Sequence, residues 1–195
     1  VMSSGQYVGG KFVELFESKV CDYTGAKYCI ALNSGTDSLV TSLIASGVKK
    51  GDEVITPPNS FIASTSSIMH IGAKPVFADV LNDQSIDPQE IRKKITKKTR
   101  AIMPVHLTRK VSQMKEIMSI ADEFGIPVIE DSAQSIGSKY MGVQSGRFGF
   151  VGCFSAHPLK NLNACGDAGF TITDDEEVYI LSGIISFLDK SLLAV

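Results

Sequence analysis

Short apolar runs rich in β-branched residues alternate along this chain with helical patterns, one of each about every 25 residues. The runs are Tyr28 to Leu32, Val54 to Thr56, Pro75 to Val80, Arg100 to Val105, Pro127 to Glu130 and Gly152 to Ser155. Between them fall apolar residues at helical spacing. Val8, Phe12, Val13, Phe16 and Val20, at helical spacing in residues 8 to 22, predict a helix with Gly9-Gly10 before it. Leu39, Val40, Leu43 and Ile44 predict a second. Further helices are expected from Phe61 to Ile71, from Asp87 to Ile95 and from Ser112 to Phe124. Asp87 is a natural N-cap with Pro88 at the first helical position, and Gly125 is a natural stop. Such alternation predicts an α/β fold of three layers, α/β/α, with a mostly parallel central sheet and helices on both faces.

In sheets of that kind, ligands bind outside the carboxyl ends of the strands. Several polar residues stand there. Asn33-Ser34-Gly35-Thr36-Asp37 joins a strand directly to a helix. Free N–H groups at that helix start, with the Ser34 and Thr36 hydroxyls, can hold an anion, and Asn33 or Ser34 can equally serve as a plain N-cap. Phe61 opens a helix after Pro57-Pro58 and is either core or the wall of a site. Asp131 ends a strand, where it can face a ligand or cap a turn.

Lys160 stands apart from the other fourteen lysines. It is the only formally charged side chain between Phe148 and Gly166, and it follows the apolar run Val151 to Phe154. Partial desolvation is expected there, which disfavours the ammonium form. A neutral amine can attack a carbonyl and form a Schiff base. The alternative is a lysine whose head reaches water along its apolar stem.

Charge and cysteine usage narrow the partners. Net charge is −2 with the signs interspersed, so neither a nucleic acid nor an anionic membrane surface is expected. The basic cluster Lys93 to Arg100 falls between a helix and a strand and reads as a solvated turn. Cys21, Cys29, Cys153 and Cys165 lack CxxC spacing, and His70, His106 and His157 are scattered, so no metal site is expected. Unpatterned cysteines without a leader signal fit reduced thiols in a cytoplasmic protein. The longest uncharged run, Val54 to Gly72, is too rich in Ser, Thr and Pro to span a membrane. No GxGxxG or Walker spacing is found.

An anion-binding turn, an aromatic ring, an aspartate and an isolated lysine are the parts that pyridoxal 5'-phosphate (PLP) requires. The motifs that hold these residues also carry a family resemblance. They are Ser34-Gly-Thr-Asp-Ser-Leu39, Gly51-Asp-Glu-Val-Ile-Thr-Pro57, Pro104-Val-His-Leu107, Pro127-Val-Ile-Glu-Asp-Ser-Ala-Gln134, and Ser155-Ala-His-Pro-Leu-Lys-Asn-Leu162 with Gly166-Asp-Ala-Gly169. In that order and spacing, across residues 5 to about 180, they resemble the DegT/StrS-type PLP-dependent sugar aminotransferases of the aspartate aminotransferase superfamily. The resemblance implies that Lys160 carries the Schiff base and that Asp131 pairs with the pyridine nitrogen. It places Gln134 near the phenolic oxygen and Phe61 on the ring face. Ser34, Gly35, Thr36 and Ser155 then hold the phosphate, and His157 only shapes its turn.

The reaction implied by the resemblance moves an amino group from glutamate or a similar donor to a nucleotide-linked keto-sugar, within a homodimer. Another PLP reaction, such as dehydration or a lyase step, and a non-catalytic binding module of the same fold are the alternatives. Related dehydratases carry a histidine at the lysine position, so Lys160 favours transamination. Two departures stand out. Thr108-Arg-Lys-Val111 occupies a place where family members carry glycine, and the chain is about half the family's length. The expectation is one PLP-binding large domain over residues 1–195, without most of a smaller C-terminal domain, and with apolar surface at Val54 to Ile71 and Leu192 to Val195.

Overall fold

The computed structural model describes residues 5 and 9–192, and side chains through residue 185. Nine strands and six α-helices are assigned among the described residues: α1 (Lys11–Thr24), β1 (Tyr28–Leu32), α2 (Gly35–Ala45), β2 (Glu53–Thr56), α3 (Ile62–His70), β3 (Lys74–Phe77), α4 (Pro88–Lys94), β4 (Thr99–Ile102), α5 (Met114–Phe124), β5 (Ile129–Asp131), β6 (Lys139–Tyr140), β7 (Val143–Gln144), β8 (Val151–Ser155), β9 (Gly169–Thr173) and α6 (Glu176–Leu192). Local chemistry sets several of these limits. Gly10, at φ 82°, holds the chain out of helical geometry, so α1 starts at Lys11; the expected start at residue 8 lies outside the described residues. Asp87 caps α4 through the Gln89 N–H, and Gly125, at φ 64°, ends α5.

Strands β3-β2-β4 form a parallel sheet, and β1-β9-β8-β5 form a second sheet of mixed direction. Parallel bridges Ile102–Val128 and Val105–Asp131 join the two across β4 and β5. Strand β9 runs antiparallel to both β1 and β8, whereas β5 and β8 are parallel. The mostly parallel sheet is therefore present, with one reversed strand that the six expected runs did not include.

Neighbouring residues of a strand point to opposite faces, and here they feed separate cores. Val54, Ala101, Met103, Ile129 and Val151 pack with Leu39, Leu43, Ile68 and Val178 of α2, α3 and α6. Ile55, Ile102 and Val128 pack on the other side with Ile91 of α4 and Met114, Ile117 and Ile120 of α5. Phe154, Phe170 and Ile172 meet Val20 of α1 in a third cluster, with the Phe154 and Phe170 rings stacked 4.8 Å apart. Val54 to Thr56 is thus buried, whereas Phe61, Ile62 and Met69 on and before α3 are exposed. The expected apolar tail from Leu192 lies outside the described side chains.

Glu130 ties these layers together and is wholly buried. Its Oε1 accepts from the Phe148 and Gly149 N–H groups at 2.7 and 2.6 Å. Its Oε2 accepts from the Gly146 N–H and lies 2.8 Å from His106 Nε2. His106 is also fully buried, and its Nδ1 accepts from the Ser112 N–H, which leaves Nε2 to carry the proton toward Glu130. One carboxyl group therefore satisfies four donors from the segment after β4 and the turn before β8. Removing it strands them all away from water. Glu130→Ala is expected to cost on the order of 3–5 kcal/mol in urea unfolding, and a loss below about 1 kcal/mol would contradict this role.

Candidate active site

The carboxyl ends of β1, β2, β4, β5 and β8 open on one cavity of about 850 Å³. Ser34, Gly35, Thr36, Phe61, Asp131, Gln134, Ser155 and Lys160 all line it. The structure thus brings together all eight residues that the resemblance assigns to the site, although they span more than 120 positions.

The turn after β1 is built by close backbone approaches. Ser34 is the N-cap of α2, its Oγ accepting from the Asp37 N–H at 3.0 Å. The N–H groups of Gly35 and Thr36 have no acceptor among the described residues, as expected at a helix start. The cap and the anion-binding turn are therefore compatible, since Ser34 closes one N–H and leaves others open. A Cβ on Gly35 would lie 2.6 Å from Ser155 Cβ, and one on Gly169 would lie 2.3 Å from the Ser34 carbonyl carbon. Gly169 pairs with Leu32 on one side and Ser155 on the other. Reversed strand β9 thus presses its first residue against the turn, a contact that only glycine permits.

Asp131 is 4% exposed at the end of β5. Ser64 Oγ donates to its Oδ2 at 2.6 Å, and the Ala133 N–H donates to Oδ1 at 3.2 Å. Ser60 Oγ lies 2.6 Å from Ser64 Oγ, which extends the chain of hydroxyls. Burial raises the Asp131 pKa from the ordinary carboxylate value, while the Ser64 and Ala133 hydrogen bonds and the charge of Lys160 oppose it. Ser64 was missed in the sequence, although it lies one helical turn after Phe61 and on the same helix face. Phe61 itself is not core: it is 66% exposed over the cavity.

Lys160 lies half-buried in the loop after β8. The Ala156–Ala168 and Ala164–Ala156 backbone hydrogen bonds close that loop, and the Lys160 N–H bonds to the His157 carbonyl. His157 Nδ1 accepts from the Leu159 N–H and so shapes the turn. Its Nε2 lies 3.8 Å from Asp167 Oδ1.

Across the cavity, a single 3-10 turn, Leu107–Arg109, follows the stretch after β4. Thr108 and Arg109 hold φ of 51° and 69°. Left-handed backbone costs non-glycine residues about 1–2 kcal/mol each. The turn is held by hydrogen bonds from the Thr108 N–H to Gln134 Oε1 and from the Lys110 N–H to the Leu107 carbonyl. This is the stretch where the sequence departs from the family's glycine.

Among the described residues no group of His, Cys, Asp and Glu is arranged to hold a metal ion, all four cysteines are free, and no helix is long and apolar enough to cross a membrane.

A lysine, a buried carboxylate, an exposed ring and a helix-start turn lie together on one edge of a three-layer α/β/α sheet, and the fold is that of PLP-dependent aminotransferases. The chain belongs to the DegT/DnrJ/EryC1/StrS aminotransferase family, whose sequence model matches residues 1–186. It is 42% identical over 179 residues to the UDP-2-acetamido-2-deoxy-3-oxo-D-glucuronate aminotransferase of Pseudomonas aeruginosa, covering 91% of this chain and 50% of that protein. The solved structure of S. venezuelae DesV in complex with a ketimine intermediate superposes with a TM-score of 0.91 at 36% identity, over 94% of this chain and 50% of that one. NtdA from Bacillus subtilis with bound cofactor PMP gives a TM-score of 0.88 at 38% identity, over 93% and 41%. The chain spans about half the length of the relatives it matches.

The raised pKa of Asp131 has a measurable sign. The folded chain holds that proton more tightly than the unfolded chain. The resulting stability is fully present below the ordinary carboxylate range and is lost as pH rises through the raised value. An amide does not titrate. Asp131→Asn should therefore gain stability relative to the parent chain, without added ligand, as pH rises from about 3.5 to 7. A difference that stays constant in urea unfolding across that range would contradict the assignment.

Proposed function

We propose that the cavity binds PLP and that the chain carries the cofactor half of an aminotransferase acting between glutamate and a nucleotide-linked keto-sugar. The observation that carries this reading is the convergence of Lys160, Asp131 and the Ser34–Thr36 turn on one cavity. The residues present fit the group. Gly35 and Thr36 offer unsatisfied N–H donors at a helix N-terminus, beside the Ser155 hydroxyl, for a phosphate. Asp131 is a buried carboxylate with room for an external cation, and Phe61 offers an exposed apolar face. PMP in the B. subtilis relative supports the same cofactor chemistry here.

PLP supplies, when bound, an electrophilic aldehyde and a ring that accepts the electron pair of a carbon losing its proton. The chain's residues do the rest. Lys160 Nζ is the nucleophile that would hold the aldehyde, and it is the amine placed to take and return a substrate proton. Asp131 would hold a protonated ring nitrogen, and the Ser64 hydroxyl and Ala133 N–H help to keep it ionised despite its burial. Gln134 would face the phenolic oxygen while its Oε1 anchors the Thr108 turn. Lys160, rather than a histidine, favours transamination over dehydration. The names of the Pseudomonas relative and of the family point to sugar amination as the reaction.

A homodimer in the cytoplasm completes the proposal. Ile62 and Met69 on α3 are 66% and 62% exposed, which supports self-association. Sedimentation at several concentrations should show a dimer or larger species, and a monomer throughout would overturn that part.

The cofactor reading is tested by adding PLP to the purified chain. An absorbance band of a lysine Schiff base, removed by borohydride, is expected, and Lys160→Ala should lose it while remaining folded by circular dichroism. A band that survives in Lys160→Ala would move the attachment to another lysine. Asp131→Asn is expected to retain the cofactor yet lose most turnover with glutamate, and near-normal turnover would remove its assigned role.

A further inference from the structure

Arg109 is a second cation on this cavity, and nothing in the cofactor reading uses it. It is exposed, and among the described residues its guanidinium makes no ion pair or hydrogen bond. The neighbouring charges are otherwise occupied. Lys110 pairs with Asp83 at 3.1 Å, away from the cavity lining. Asp167 lies by His157, and Asp131 accepts from Ser64 and Ala133.

The backbone beneath Arg109 is the second observation. Thr108 and Arg109 are the only consecutive pair of non-glycine residues at positive φ among the described residues. The other two, Gln84 and Met141, stand singly. A glycine would hold the turn without strain, yet this chain carries arginine. The turn is fastened before it by the His106 N–H to the Asp131 carbonyl, within it by the Thr108 N–H to Gln134, and after it by the Ser112 N–H to His106 Nδ1. Strain that persists because its surroundings fix it is characteristic of residues placed for a ligand. A guanidinium presents a planar fork of donors that matches a carboxylate or a phosphate.

We propose that Arg109 binds the oxyanion group of the substrate, a terminal carboxylate of a dicarboxylic amino donor or a phosphate of a nucleotide-linked sugar, at the rim of the cavity. The inference rests on the PLP reading, since it is that reading which makes both ligands substrates at this cavity. With PLP held by Lys160 and Asp131, Arg109 is the cation left for a second anion.

The test loads the full 195-residue chain with PLP, fixes it with borohydride, and titrates it calorimetrically with glutarate and, separately, with UDP. Glutarate stands for the donor's carboxylates and UDP for the nucleotide's phosphates. Arg109→Gly takes the left-handed backbone without strain, so it should fold with an unchanged or higher melting temperature. At least one probe should bind the parent chain and lose about tenfold in affinity in Arg109→Gly. Arg109→Lys, which keeps the charge but not the fork, should lose less. The probe that weakens identifies the source of the anion. Equal affinity in parent and Arg109→Gly, or no binding of either probe to the loaded parent chain, overturns the inference. Failure of the chain to take up PLP would overturn the cofactor reading, and the inference with it, before any probe is added.

Discussion

Two carboxyl groups stand side by side at the end of β5, and their unequal hydrogen bonding organises the site. Glu130 and Asp131 are consecutive strand residues, so they point to opposite faces of the sheet. Glu130 faces the α5 side and accepts four hydrogen bonds, from His106 and from the turn before β8. It is fully satisfied within the protein. Asp131 faces α3 and the cavity with two donors among the described residues, Ser64 and Ala133. Burial raises its pKa because those two donors leave it short of compensation. A cationic ligand atom can supply what is missing. Glu130 thus fixes the strand end rigidly, and Asp131 is left incomplete one residue later.

The same economy holds at the turn after β1. Three strands, β1, β9 and β8, meet there, and Gly35 and Gly169 let their backbones approach within the space that a Cβ would need. The donors of the turn are positioned by this packing, so they need no reorganisation when an anion arrives. On the far side, the Thr108–Arg109 turn is fixed by Gln134 and by the His106 segment. Backbone groups therefore take part in the contacts that fix the cavity walls on both sides.

Much of this was legible in the sequence because it is local. The alternation of strand and helix patterns gave the three layers, and Asp87, Pro88 and Gly125 act as the caps their chemistry implies. All eight residues proposed for the site share one cavity because strand ends in a parallel sheet lie on one edge. Long-range contacts hid the remainder. Gly169-Phe-Thr-Ile-Thr173 is too short a run to announce a reversed strand, and its place is set by pairing with β1 and β8. Glu130 and Ser64 draw their importance from partners 24 and 67 residues away. The glycine missing at Thr108–Arg109 was visible, but only the backbone angles show what its absence costs.

The central claim is that this constellation holds PLP through Lys160. The most direct measurement is peptide mapping by mass spectrometry of the chain incubated with PLP and reduced with borohydride. A reduced phosphopyridoxyl group is expected on the peptide containing Lys160, and on no other of the fifteen lysines in comparable yield. A label spread over surface lysines, or one fixed at a single different lysine, would contradict it.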